Sequence, residues 1–134
     1  MNTTTETTKP IPPQLNDGEI YLGALTGTDG RRVHVILMAG DIRNCTWNEA
    51  KQWAKSSGGA LPNQKEFEIL SDICSHRLKN PALAGEFEVG RYWSSDEHAL
   101  HSDCAHVQDI RGCSWSTNKK TDKLHARAVR RVEV

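Results

Sequence analysis

The segment "HALHSDCAH", residues 98–106, brings His98, His101, Cys104 and His106 together within a short stretch. Imidazole nitrogens and a thiolate are the donors that a tetrahedral zinc ion takes, and Asp103 stands where a carboxylate could orient a ligating ring. Ligands three residues apart converge only on a helix or a tight knuckle, however, and the regular Cys-x-x-Cys spacing is absent. The segment is expected to be a polar loop entering a strand, without metal or cofactor, and zinc on these four residues is the chemical alternative. Other reactive groupings are weaker. Cys74 and His76 lie two apart on an expected helix, where side chains diverge. Ser94 and Ser95 follow a tryptophan in a strand-like run with no glycine-flanked elbow, and "GTDG" at 27–30 reads as a turn rather than a phosphate cradle. No set of residues fills the roles of nucleophile, base and oxyanion donor, so the chain is not expected to be an enzyme.

These groups sit in a chain of 134 residues, the size of one domain. Seventeen basic residues balance seventeen acidic ones, so there is no overall pull toward nucleic acid or acidic lipid. Lys119, Lys120, Lys123, Arg127, Arg130 and Arg131 form the one basic patch. In an extended strand Arg127 and Arg131 share a side and Arg130 takes the other. With Asp122 and Glu133 interleaved, the patch reads as a solvated edge, and nucleic acid is not the expected partner. The first residues, "MNTTTETTKPIPPQLNDG", lack a signal-peptide pattern, and no apolar run is long enough to span a bilayer. Residues 1–17 are expected to be a flexible leader, residues 18–134 the domain, and membrane insertion is not expected. Without an export signal, Cys45, Cys74, Cys104 and Cys113 are expected as free thiols rather than two bridges.

The positioning elements follow from patterning. Apolar runs at 19–26 and 31–38 flank an Asp-Gly turn, which predicts a β-hairpin, and the unbroken run at 35–38 predicts a strand covered on both faces. Thr46 and Glu49 have the spacing of a capping box, and Trp47, Ala50 and Ala54 follow at helical period with Trp53 beside them. Gly58 or Gly59 stops that helix. Asn63 and Glu66 repeat the cap, and Phe67, Leu70, Ile73 or Cys74, and Leu78 carry a second helix to the "KNP" at 79–81. The tryptophans of the first helix read as core. Short strand-like runs then occupy 91–95, 104–110 and 125–134, separated by two polar loops, "DEHALHSD" and "RGCSWSTNKKTDK". Such loops are where a rigid scaffold carries recognition.

In this order, "TWNEAKQWAKSSGGALPNQKEFEIL", "YWSS", the strand beginning at Ala105 and the terminal "RAVRRV" resemble the Lcl C-terminal domain family. These are C-type-lectin-like domains of bacteria and phages, and the likeness covers residues 18–134, including "GEIYLGALTGTDGRRVHVILM". The resemblance implies an α+β, C-type-lectin-like fold: two helices against a small twisted antiparallel sheet with a long-loop region, the first and last strands pairing. "IRGCSW" at 110–115 followed by "RAVRR" is similar to the formylglycine-generating-enzyme-like branch of the same superfold. Cys113 replaces a glycine of that pattern, and Cys104 and Cys113 stand nine apart instead of closely paired, so its oxidase chemistry is not carried over. Calcium-dependent sugar binding is not expected either: "LPN" at 61–63 lacks the acidic or amide residue before proline, and no Trp-Asn-Asp strand occurs.

The reading that results is a noncatalytic recognition module of phage or prophage origin. It would bind a host protein, as an inhibitor of a host defence or regulatory complex, through Asp96, His98, His101, Arg111, Trp115, Asn118, Lys119 and Lys120. It would act in the cytoplasm of the host cell. The alternative is a virion-associated accessory that recognises a glycan or cell-surface receptor. Trp115 is either core or contact surface, and a free strand edge leaves room for a homo-oligomer.

Overall fold

The computed structural model describes residues 13–27, 29–75, 87, 90–110 and 114–134, with only the backbone of 70–75. Among the described residues, eight strands and two helices follow in the order β1 (Ile20–Thr26), β2 (Arg32–Leu37), β3 (Ile42–Cys45), α1 (Trp47–Ser56), α2 (Gln64–Ser75), β4 (Arg91–Glu97), β5 (Cys104–Asp109), β6 (Ser114–Lys119), β7 (Leu124–Ala126) and β8 (Val129–Glu133). The class is α+β. The strands form two sheets, β1-β2-β8 and β3-β7-β4-β5-β6. Among the described residues the strand pairs are antiparallel except β4 with β7, which is parallel.

The hairpin forms where the Asp-Gly turn places it, and Val35, Ile36 and Leu37 are fully buried, as a central strand with apolar residues on both faces requires. Three expectations are corrected. The single small sheet is two sheets. The last strand pairs with the second, not the first: β8 runs along β2 with Val35 opposite Arg131, and β1 lies outside. The terminal run at 125–134 is two strands, because the chain leaves the five-stranded sheet after Ala126 and enters the three-stranded one at Val129.

Helix α1 starts at its capping box. Glu49 N–H donates to Thr46 Oγ1, and Thr46 N–H donates to Glu49 Oε1 at 2.8 Å. It ends in a Schellman turn, with Gly59 N–H donating to Ala54 O and Gly58 N–H to Lys55 O, and Gly58 at φ 90° supplies the left-handed step. Gly59 is needed for a different reason: a Cβ there would lie 2.4 Å from Met38 Sδ and 2.5 Å from Val129 O. Bare backbone is what lets Ala60 pair with Val129. Helix α2 starts at the second box, in which Glu66 N–H donates to Asn63 Oδ1 and Asn63 N–H to Glu66 Oε1. Phe67 is fully buried as expected; the side chains of Leu70, Ile73 and Cys74, and all of Leu78, lie outside the described residues.

Successive residues of β4 point into different cores. Trp93 joins Trp47, Ala50, Ala54, Ala105 and Val107 beneath α1, while Tyr92 joins Val35, Leu37, Phe67, Ile110 and Val129 toward the other sheet. The alanines at 50 and 54 let the helix approach the sheet closely enough to enclose two indoles. Those indoles also cross-link the chain: Trp93 Nε1 donates to Cys45 O at 2.8 Å, and Trp47 Nε1 to Ser94 O at 2.9 Å. Trp53 is only partly buried against the same cluster.

The C-terminal arginines are structural. Arg127 is buried and donates to Met38 O, Arg130 pairs with Glu19, and Arg131 grips Glu66 with two bonds of 2.7 Å. Arg130 also donates to Gln14 O, tying residue 14 of the expected leader to β8. Residues 1–12 lie outside the described residues. Hydrogen bonds from Arg130 hold the Glu19 carboxyl at about 2, below its ordinary 4.5, against the opposing effect of desolvation and with help from the Asn16 amide. The folded-state value lies below the unfolded one, so this contribution is complete above about pH 4.5 and is lost as pH falls toward 2. In Glu19→Gln, unfolding followed from pH 7 down to 2 should therefore show a flatter loss of stability over that acid window; an unchanged acid limb would refute the assignment.

Candidate functional site

Strands β4 and β5 are joined by the loop at 98–103, and the loop is closed at its base. His98 N–H donates to Cys104 O at 3.0 Å and Cys104 N–H to His101 O at 2.9 Å. At its tip, His98 Nδ1 accepts from the amides of Leu100 and His101, at 3.0 and 3.1 Å, so the ring proton of the neutral imidazole sits on Nε2. A further anchor comes from Lys120, whose N–H donates to Asp103 O while its own carbonyl accepts from Trp47 N–H. The turn made by these bonds holds Leu100 out in solvent, 84 % exposed.

The histidine rings of this loop and of β5 lie against one another, His98 stacked on His106 and His101 tilted by 46° against His98. Ring centroids lie 4.9 Å apart for His101 and His98, 5.5 Å for His98 and His106, and 5.1 Å for His106 and Trp115, the last pair 10° from parallel. Trp115 then meets Phe67 at 6.3 Å. The result is an aromatic column running from the apolar core to the exposed loop. The Nδ1 lone pair of His98 is already engaged by two backbone amides. Among the described residues, no group of three or more His, Cys, Asp and Glu is placed to hold a metal ion. Desolvation, with the Asp103 carboxylate beside it, pushes the Cys104 thiol up. Burial, then the charge of Glu49, raises Cys45 to about 11. Both cysteines are free thiols and neither is activated; the side chain of Cys74 and all of Cys113 lie outside the described residues.

The expected contact residues divide by role. His98 and His101 are on the loop. Asp96 accepts from Gln64 N–H at 3.0 Å and so serves the first turn of α2. Trp115 is half-buried, between the rings of Phe67 and His106. Asn118 accepts from Arg91 and donates to Asp122. Lys120 pairs with Glu97 and lies 4.4 Å from the centroid of the Trp47 ring; its hydrogen bond and charge hold the Glu97 carboxyl below the usual range. Lys119, exposed and opposite Cys104 in the β5–β6 ladder, stays available. Arg111 lies outside the described residues.

The second expected long loop is corrected. Much of "RGCSWSTNKKTDK" is strand β6, paired with β5 from Cys104↔Lys119 to Asp109↔Ser114. The basic patch also separates: Arg130 and Arg131 are held by Glu19 and Glu66, and Arg127 is buried. What sequence reasoning missed is Leu100, a lone apolar residue in a polar segment. It also missed a concavity bounded by Lys51, Lys55 and Ser95.

No protein-family model matches this chain, and no curated protein matches it. Among the described residues, no helix is long and apolar enough to cross a membrane.

Proposed function

We propose that this chain is a noncatalytic recognition module with a C-type-lectin-like fold, encoded by a phage or prophage. On this reading it works in the cytoplasm of the host cell, where it binds a host protein and inhibits a defence or regulatory complex. The observation that carries the recognition role is Leu100, displayed on a hydrogen-bonded turn above an aromatic column. A preorganised apolar knob binds without the ordering cost that a mobile loop incurs. Burying a leucine in a partner's pocket contributes ~1.5–3 kcal/mol, about 10- to 150-fold in affinity. The resemblance of residues 18–134 to the Lcl C-terminal domain family supports the fold and the origin.

The test is capture of the partner from host lysate on the tagged protein, followed by affinity measurement with the purified partner. Leu100→Asp should weaken binding at least about 100-fold, since it removes the apolar contact and places a charge in its pocket. Lys119→Ala should weaken it less, by about fivefold. Equal affinity of Leu100→Asp for the captured partner would sink the loop as the binding element.

A further inference from the structure

A cavity of about 260 Å³ lies beside the start of α2's lead-in, bounded by Lys51 and Lys55 of α1, by Gly59, Ala60 and Leu61, and by Ser95 of β4. It is smaller than the ~300–1,000 Å³ of small-molecule sites, and so has the size for a side chain. Its lining includes Gly59, Ala60 and the buried Leu61; the polar side chains are two ammoniums and one exposed hydroxyl. The Gly59 and Ala60 amides are already committed, to Ala54 O and Val129 O, so they offer nothing to a phosphate. Lys51 and Lys55 are one helical turn apart, a like-charge spacing that weakens a helix slightly. Among the described residues neither stands within 4 Å of a carboxylate. A second, smaller cavity of about 90 Å³ beside Lys65 differs on this point, because its Glu66 and Arg131 satisfy each other.

We propose that the Lys51–Lys55 cavity receives the carboxylate side chain of an acidic segment of the protein partner. The inference rests on the recognition reading and names the chemistry of the partner. A chain of contacts links the cavity to the loop that carries Leu100: Glu97, at the loop's entry, pairs with Lys120, and Lys120 and Lys51 lie 4.4 and 4.0 Å from the centroid of the same Trp47 ring. The surface thus offers an apolar knob at one end and, at the other, two lysines without a carboxylate within 4 Å among the described residues, Lys51 lying over the Trp47 ring and within electrostatic reach of Glu97. A glutamate, with methylenes for the apolar part of the lining and a carboxylate for the two lysines and Ser95, satisfies every group that lines the cavity. The lysines alone would serve a phosphate as well as a carboxylate; the apolar part of the lining favours an acidic protein segment, since glutamate brings methylenes beside its charge and a phosphodiester does not.

The probe is the peptide acetyl-Ser-Glu-Leu-Glu-Ser-amide, followed at low salt through the backbone amide shifts of the ¹⁵N-labelled protein. The expected result is saturable shifts at Gly59, Ala60 and Ser95, absent with the glutamine counterpart and reduced about fivefold in affinity by Lys51→Gln/Lys55→Gln. Equal response to both peptides, equal affinity of the double variant, or shifts confined to other residues would overturn the proposal. So would an oligothymidine of eight nucleotides that binds these amides more tightly than the peptide. Leu100→Asp should leave the peptide shifts intact. Capture of no partner by the unsubstituted protein, with the peptide result preserved, would therefore count against the recognition reading, and capture with no peptide response would count against the cavity.

Discussion

Trp93→Ala should cost ~3–5 kcal/mol, the range for removing a large aromatic side chain from a packed core. Trp93 has no solvent exposure and lies among Trp47, Ala50, Ala54, Ala105 and Val107, which are too small or too constrained to collapse into the space left behind. The substitution also strands the Cys45 carbonyl, which accepts from the indole at 2.8 Å, for a further ~1–3 kcal/mol. Against a total stability of ~5–15 kcal/mol for a domain of this kind, the variant should be poorly folded at 37 °C. Trp93→Phe separates the two effects: most of the volume returns, the carbonyl stays unpaired, and the loss should fall to ~1–3 kcal/mol. Urea unfolding of the three proteins measures both. A Trp93→Phe as damaging as Trp93→Ala would show that the indole hydrogen bond, not packing, dominates.

Arg131→Met should be the second most damaging change, by ~3–5 kcal/mol, because it leaves a buried carboxylate without its countercharge. The Glu66 side chain is 2 % exposed and receives two 2.7 Å bonds from Arg131, whose own side chain is 34 % exposed. That asymmetry sets the order of effects. In Glu66→Gln the stranded guanidinium still reaches water, and the amide oxygen can still accept from Asn63 N–H, so the loss should be clearly smaller. The double variant Glu66→Leu/Arg131→Met loses the carboxylate half of the capping box but buries no lone charge, and should be more stable than Arg131→Met alone. A double variant less stable than the single one would refute this account. Calorimetric melting of the four proteins gives the comparison.

Much of this architecture could be read from residue order, and the exceptions have physical causes. Both helix starts were legible because a capping box is a local device: Thr46 with Glu49 and Asn63 with Glu66 need no knowledge of the rest of the chain. The hairpin was legible because its turn and its apolar run are local too. Strand β6 was not, since "SWSTNK" holds one large apolar residue and owes its conformation to the ladder offered by β5. Strand β3, four residues with a register shift between Ile42 and Cys45, leaves as little trace. The break at Arg127 and Ala128 was hidden because nothing local says that one continuous run serves two sheets. In the candidate site, convergence of the histidine nitrogens on zinc was the alternative to a polar loop, and spacing alone did not foretell the ring contacts, His98 stacked on His106 and tilted against His101. Leu100 left no periodic signal, and Lys51 and Lys55 looked like the solvated side of an ordinary amphipathic helix.

The placement of β2 between β1 and β8 has a consequence for synthesis. Its partner on one side is the adjacent hairpin arm, and its partner on the other is distant: Arg31 pairs with Glu133, 102 residues later. A ribosome adding ~5–20 residues per second needs about 5–20 s to cover that stretch. Throughout that interval the edge of β2 that β8 will fill has no strand beside it, and Val35, Ile36 and Leu37, wholly buried at the end, lack part of their cover. The nascent hairpin is an open template for any passing extended segment until Val129–Glu133 emerges. Closure of the three-stranded sheet is thus a late, long-range step of biogenesis, and the interval before it is when the chain most needs protection by a chaperone.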